Sequence, residues 1–530
     1  MNEIESFTLA LFFASAFGFL LMRARVSPVI AYIISGAFLA FLGVRLNGDV
    51  FSFLSNFAVQ VLAFVIGLTF DVSTLRKTLS SAALIVVTEL LIVGSVISFV
   101  SSLFGFTLVE ALLLFVSTLN TSSSIVFKQS KGLLPKEELD IALATSSIED
   151  VVAFLVVSII SGQFVSVGNA LYLIASSIGS FGFGLLLARY VLARIVRVSP
   201  SELTMLWLIS VISFFSLLGL FLKIPSVLPP LLLGISLSLV LREAVDKVLS
   251  QLQSLLDFFL VIFFVLAGQE FTPGIYSLLY IPIAVMAVGL KYFAFSTGYW
   301  IASGNFSRAF RTGLHMTPLS EFGIVVALSA ISLGYHIGPL YDFIVILVGT
   351  SFTFSGLILK KEEDVSDKLA RIEAKSRVIP RLNGVFLSFK TRLSVPSVVR
   401  NLSNSFLLYM ASVLGLMIPS DLAIYYVESL ALSAGLYVII ALVIGTLISL
   451  FYFSLRLRDS IDEILNLRGN LREIANYFVY STFILISLIY LSTVIRIVEI
   501  PSVLTSLAIP VSVLIYLTYT RIYKLLKRRT

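Results

Sequence analysis

Two adjacent acidic residues, Glu149 and Asp150, stand in the middle of a long apolar stretch. A charge at the centre of a bilayer costs at least ~2.5–3.5 kcal/mol, so a pair of acids there requires a reason. Neighbouring residues of a helix point about 100° apart, so both carboxylates can border one cavity. A buried carboxylate can be neutralised by a proton or by a cation, and competition between the two is the chemistry of ion exchange. The alternative is an ion pair that only fixes helix packing.

Lys291 is a basic residue well inside another apolar stretch. It is the natural partner of Glu149 or Asp150, because its ammonium group can relieve the charge of the acid pair. The alternative is that its long side chain reaches a membrane interface. The sequence leaves open which of the two acids it pairs with.

Two further apolar stretches are interrupted by polar and helix-breaking residues, one from Ser117 to Ser124 and one from His315 to Gly323. Pro318 in the second removes a helix hydrogen bond. Interrupted helices in both halves of a chain point to a transporter site, where half-helix ends supply partial charges of both signs. The candidate ion-binding residues in these interruptions are Asn120, Thr121, Ser122, Thr317, Ser320 and Glu321.

The elements that position these residues are predicted to be membrane-spanning helices. Of the 530 residues, 58% are hydrophobic and 13% are charged, about half the charged fraction of a soluble protein. The apolar runs are continuous, which excludes the alternation of a membrane barrel. The net charge of +7 reflects basic loops rather than nucleic-acid binding. The absence of cysteine and the presence of only 2 histidines exclude thiol chemistry and a histidine-built metal site.

Seventeen spans are predicted, and the charges of their loops give an orientation. Over the first thirteen spans, one set of alternate loops has fourteen basic residues and the other set has only Arg45 and Lys223. Basic loops are cytoplasmic, so the N-terminus is predicted outside and the C-terminus inside. The predicted spans are 7–22, 27–44, 53–70, 82–104, 108–127, 139–162, 169–191, 203–221, 225–241, 254–271, 276–302, 312–334, 340–359, 403–419, 430–455, 475–495 and 501–520.

A polar stretch divides the chain into a longer and a shorter membrane part. Residues 1–360 form the predicted thirteen-helix domain, and residues 401–530 form a four-helix C-terminal module. Residues 361–400 are a cytoplasmic linker, either solvated or lying at the membrane interface.

Six ordered motifs over residues 1–360 make the chain resemble the cation:proton antiporter superfamily, nearest its Kef-type branch of monovalent cation:proton antiporters. No comparable family is recognised for residues 400–530. The motifs are Ser27–Gly36, Gly67–Asp71, Leu119–Ser123, Glu149–Asp150, Phe263–Gly268 and Arg311–Phe322.

The resemblance implies a thirteen-helix inverted-repeat fold with crossed broken helices, the repeats covering about residues 1–165 and 200–360. It implies a homodimer, and it carries the essential ion-binding aspartate onto Asp150 and a basic partner onto Lys291. Glutamate at position 149 departs from the Asp, Asn or Gln that is common in the family, and two ionisable groups favour electrogenic exchange of two protons per cation.

The sequence therefore predicts a plasma-membrane antiporter that exchanges Na⁺, or else K⁺, for protons by alternating access, with Asp150 as the shared site. No cofactor is expected beyond the transported ions, and no enzyme, because no nucleophile–base pair is apparent. Two alternatives remain: a channel-like or sensory protein built on a transporter scaffold, which the extra four spans suggest, and a Na⁺-coupled symporter.

Overall fold

The computed structural model describes residues 3–465 with short gaps at 24–27, 47–48, 70–71, 161–166, 223, 243–244, 394–395 and 430–434, and scattered positions between 476 and 494. Of the last two predicted spans, 501–520 lies outside the described residues and 475–495 is described only in part. Regular structure in the described ranges is helical, with two isolated single-residue bridges.

Helices α1 to α20 follow one another along the chain, with a π-helical turn at Ala188–Leu192 and a 3-10 turn at Ile275–Leu279. Their bounds are α1 Glu3–Arg23, α2 Pro28–Phe41, α3 Asp49–Thr69, α4 Val72–Leu103, α5 Leu108–Leu119, α6 Ser123–Ser130, α7 Lys136–Ile160, α8 Val167–Leu187, α9 Ala193–Val198, α10 Ser201–Phe221, α11 Leu228–Val240, α12 Val245–Glu270, α13 Tyr280–Ser303, α14 Phe306–His315, α15 Phe322–Ser332, α16 Gly338–Leu359, α17 Glu362–Lys375, α18 Ile379–Leu393, α19 Pro396–Ser429 and α20 Gly435–Leu465.

The long apolar helices make the chain an all-α polytopic membrane protein, as predicted. Among the described residues, 7 helices are long and apolar enough to cross a bilayer, and shorter apolar helices lie between them. Each of the first thirteen predicted spans overlaps at least one helix. The thirteen-span count and the orientation of the termini stay predictions.

Glycines bring two pairs of helices into close contact. A Cβ atom on Gly36 of α2 would lie 2.0 Å from the Val265 carbonyl oxygen of α12, and one on Gly268 would lie 2.1 Å from that of Ile33. Helices α3 and α11 pack in the same way, through Gly67 and Gly234. In a membrane, where lipid is as apolar as the helix surface, such close backbone approach is a main source of helix association.

Both predicted interruptions are present as breaks between helices. The first break separates α5 from α6 at residues 120–122, and the second separates α14 from α15 at residues 316–321. Thr121 and Leu319 form an antiparallel bridge, so the two breaks lie side by side. Gly323 packs against Ser117, where a Cβ would meet the Ser117 Oγ at 2.8 Å.

Contacts divide the described residues into two compact units. The first comprises Met1–Ala83, Leu112–Tyr292 and Thr312–Glu362, and it contains all the predicted site residues. The second comprises Leu84–Ala111, Phe293–Arg311 and Glu363–Thr530. The predicted domain boundaries at 360 and 400 stay predictions.

Within the second unit, the predicted linker is helical and packed. The Asn383 side chain accepts hydrogen bonds from Trp300 Nε1 at 2.6 Å and from the Phe306 backbone at 3.2 Å. Glu373 accepts from the Asn383 amide at 2.6 Å and from the backbone and hydroxyl of Ser307. Helices α17 and α18 are thereby fastened to the start of α14.

Candidate functional site

The site is built where the two helix breaks cross. The backbone N–H of Ser122 donates to the Pro318 carbonyl at 3.0 Å, and that of Ser320 donates to the Asn120 carbonyl at 2.8 Å. Buried backbone groups require partners, and each broken segment supplies them to the other. Pro318 has no N–H to donate, which is why a helix is not continued there.

Helix α7 holds the crossing segment through two side chains one turn apart. Glu149 Oε2 accepts the backbone N–H of Thr121 at 2.7 Å, and Ser146 Oγ donates to the Thr121 carbonyl at 2.9 Å. Residues three apart on a helix face the same side, so both reach the backbone of the same residue, one its N–H and the other its carbonyl. Thr121 therefore contributes to this arrangement through its backbone.

Lys291 of α13 lies against the acid pair. Its Nζ is 2.8 Å from Glu149 Oε1, and both side chains are fully buried. The sequence left open whether Lys291 pairs with Glu149 or with Asp150, and in the structure its ion pair is with Glu149. With one oxygen on Lys291 and the other on Thr121, each carboxylate oxygen of Glu149 has a partner.

Asp150 lies beside the same crossing, and 6% of its surface is exposed. The Asn120 side chain is next to its carboxyl group, and its acidic neighbours are Glu149 and Glu321. Among the described residues, the amide oxygen and nitrogen of Asn120 and the hydroxyl of Thr121 are buried without a hydrogen-bond partner. Such atoms are rare in native structures, and the Asn120 side chain among them lies at the Asp150 carboxyl group.

The three candidate residues of the second break, Thr317, Ser320 and Glu321, have different hydrogen-bond partners. The Ser122 hydroxyl donates to Glu321 Oε2 at 3.1 Å, so Glu321 joins the crossing. The Ser320 hydroxyl accepts the backbone N–H of Phe322 at 3.1 Å, which satisfies the start of α15. Thr317 turns back, and its hydroxyl donates to the Leu314 carbonyl of α14 at 2.8 Å.

Several residues that support the crossing were not predicted. Ser146 could have been found from its one-turn spacing before Glu149. The hydroxyl of Ser351 in α16 accepts the Leu319 N–H at 3.0 Å. No motif or spacing in the sequence around Ser351 predicts this contact.

A buried histidine also joins the helices that lead into the crossing. His315 Nδ1 at the end of α14 is 2.9 Å from Ser130 Oγ at the end of α6. Its Nε2 is 3.3 Å from Glu362 Oε1, at the first residue of α17. Sequence reasoning weighed the two histidines only as metal ligands. It did not predict this bridge, because Ser130 and Glu362 are distant from His315 in the sequence.

Comparison with known proteins gives a family and a fold. The family described as sodium/hydrogen exchanger, transmembrane, matches residues 8–361. The sodium proton antiporter MjNhaP1 from Methanocaldococcus jannaschii has a similar structure, with a TM-score of 0.53 and 17% sequence identity, over 69% of this chain and 98% of that chain. No curated protein matches the chain. Since the family match covers most of the sequence, the chain belongs to the sodium/hydrogen exchanger family and is a cation:proton antiporter.

Proposed function

We propose that the chain exchanges Na⁺, with K⁺ as the second choice, for protons at a single site on Asp150. The observation that supports this assignment is the buried polar side chain of Asn120 at that carboxylate, together with the nearby carboxyl groups of Glu149 and Glu321. Carboxylate, amide and hydroxyl oxygens are ligands that suit hard cations. A proton on Asp150 removes its charge, so cation and proton exclude each other.

In this proposal Glu149 is a positioning residue. Its carboxylate is engaged by Lys291 and by the Thr121 backbone, so its charge is already balanced. It fixes the crossing segment against α7 and leaves Asp150 as the acid that changes partner. Ser122 and Glu321, joined by a hydrogen bond at 3.1 Å, add further oxygen atoms to the crossing.

Alternating access would carry this site from one side of the membrane to the other. Broken helices suit such a step, because half-helix ends stabilise ions in mid-membrane while the rest of each helix stays packed. The proposal includes a plasma-membrane location, a cytoplasmic C-terminus and a homodimer, which rest on the loop charges and on the family resemblance.

A channel-like or sensory role is the second candidate. The observation that favours it is the membrane part that follows the family match, including α19 and the apolar span Tyr437–Glu463. In that case ion flux would not be coupled to protons, and the C-terminal part would be the output.

The test uses the full chain in proteoliposomes with an imposed pH gradient and an internal pH dye, with Na⁺ or K⁺ added in turn. Asp150→Asn is compared with Asp140→Asn, the same chemical change near the start of the same helix α7. We expect one cation to collapse the gradient in the wild type and in Asp140→Asn, and no collapse in Asp150→Asn that remains folded by size-exclusion chromatography. Exchange by Asp150→Asn would overturn the site, and cation flux without proton movement would favour the channel.

A further inference from the structure

The positive charge of the chain is concentrated in one segment, residues 368–400. Its basic residues are Lys368, Arg371, Lys375, Arg377, Arg381, Lys390, Arg392 and Arg400, and its one acidic residue is Glu373. The other acids of α17 all precede Lys368. This segment therefore carries a charge of +7, which equals the net charge of the whole chain. The remaining residues are balanced between acids and bases.

Five of these basic side chains are described by the structure, and all five are exposed: Lys368, Arg371, Lys375, Arg377 and Arg381. None of them forms an ion pair with a described residue. Glu373 does not neutralise them, because its carboxylate accepts hydrogen bonds from Asn383 and Ser307. Their charge is therefore available to a partner outside the chain. We call these five side chains the basic platform.

The platform lies close to two span ends. Helix α17 begins three residues after the apolar span Gly338–Leu359. Trp300, in the last turn of the apolar span Ser277–Ser303, donates from its Nε1 to Asn383 Oδ1 of α18 at 2.6 Å. Its ring also packs edge to face against Phe386, with 5.3 Å between the centroids. The middle of α18 is therefore held at the depth of a span end, where a bilayer presents its headgroups.

Apolar side chains are exposed on and between the same two helices. Ile372 is 52% exposed and Val378 60% exposed, and each directly follows an arginine of the platform. Leu387 of α18 is 55% exposed, and its backbone nitrogen would lie 2.6 Å from a Cβ on Gly304, the residue after the span. A membrane surface accommodates both the basic and the apolar side chains, because interfacial helices place them at the headgroup boundary. A soluble polyanion would match only the charge.

We propose that the basic platform binds the anionic phospholipid headgroups of the surrounding membrane. The guanidinium groups of Arg371, Arg377 and Arg381 can each form two parallel hydrogen bonds with a phosphate. Clusters of about four to eight basic residues next to a membrane span are typical of segments that bind anionic lipids. The charge of the platform and its position at a span end favour lipid over a soluble partner. The proposal does not depend on the ion site at Asp150.

Trp300 provides the reporter for the test, because it contacts α18 directly. The chain has 2 tryptophans, so Trp207→Phe leaves Trp300 as the single one. The full chain with this change is reconstituted in phosphatidylcholine bilayers that contain an equal, small fraction of brominated phosphatidylglycerol or brominated phosphatidylcholine. Bromine quenches tryptophan only at close range. At low salt we expect the anionic lipid to quench Trp300 more strongly than the zwitterionic lipid, with a relative affinity of about fivefold or more.

Arg377→Gln/Arg381→Gln should lower this preference at least about fivefold. Arg377→Lys/Arg381→Lys retains the charge and should retain most of the preference. Arg194→Gln/Arg197→Gln is the matched control, because it removes two exposed arginines from α9 in the other compact unit, and it should leave the preference unchanged. Folding of each variant is checked by size-exclusion chromatography.

Ionic strength gives a test that needs no variant of the platform. Raising the salt concentration to about 1 M shortens the screening length to about 3 Å and should remove most of the preference of the wild-type platform. Equal quenching by the two lipids at low salt would overturn the proposal and would assign the platform to water or to a soluble polyanion. A preference that survives high salt, or that falls equally in the α9 control, would also overturn it.

Discussion

The Lys291 ammonium group lies 2.8 Å from Glu149 Oε1, while Glu149 Oε2 accepts the Thr121 N–H at 2.7 Å. One side chain thus links α13 to the crossing of the two broken helices. Because both ionic partners are fully buried, neither can exchange the other for water. The pair fixes the geometry of the crossing and separates the role of Glu149 from that of Asp150.

Removal of one member of this pair should destabilise the protein more than removal of both. Lys291→Met leaves a buried carboxylate without its counter-charge, and we expect a loss of about 3–5 kcal/mol. In Glu149→Gln/Lys291→Met, a neutral amide oxygen can still accept the Thr121 N–H, so most of this loss should be recovered. Chemical unfolding of the purified chain in micelles measures both. Equal destabilisation by the single and double variants would show that the charges do not interact.

Two neighbouring serines of α7 allow a matched test of the crossing. Ser146 Oγ donates to the Thr121 carbonyl, whereas Ser147 Oγ donates to Leu143 of its own helix at 2.9 Å. We expect Ser146→Ala to loosen the crossing segment and to raise the KM for the cation about fivefold, as for a loss of ~1 kcal/mol. Ser147→Ala should leave KM unchanged. Similar KM values for the two variants would contradict a positioning role for Ser146.

The sequence was sufficient to predict the apolar helices of residues 1–360 and both breaks, but not the helices α17 and α18 in the predicted linker. Long apolar runs permit only helices in lipid, and Pro318 together with the hydroxyl-rich run at Asn120 interrupts them. The acid pair was conspicuous because its cost in a membrane is high. These features depend on residue type and local spacing alone.

The details of the site depend on how distant helices meet. Whether Lys291 would pair with Glu149 or Asp150 is decided by the direction from which α13 approaches α7. Thr121 was predicted for its hydroxyl, yet its backbone makes the contacts with α7. Ser351 reaches Leu319 across 32 residues of sequence, for which no periodic pattern exists.

Glycine contacts should be intolerant of a single methyl group. A Cβ on Gly36 would lie 2.0 Å from the Val265 carbonyl oxygen, so α2 and α12 would have to separate. We expect Gly36→Ala to cost about 1–3 kcal/mol, as overpacking does. Gly179→Ala in α8 is the control, because nothing lies within 4 Å of a Cβ there. The melting temperatures of the two variants in detergent give the comparison, and an unchanged value for Gly36→Ala would mean that this helix pair adapts.

The two histidines of the chain should differ sharply in their contribution to stability. His315 is fully buried and bridges Ser130 and Glu362, whereas His336 is exposed. His315→Ala deprives a buried hydroxyl and a nearly buried carboxylate of a partner, which should cost about 1–3 kcal/mol. His336→Ala removes an imidazole from an exposed position and should change the melting temperature little. Because Ser130 and His315 end the helices α6 and α14 that lead into the crossing, the same substitution should also slow exchange in proteoliposomes. If both variants melt and exchange alike, the bridge does not stabilise the crossing.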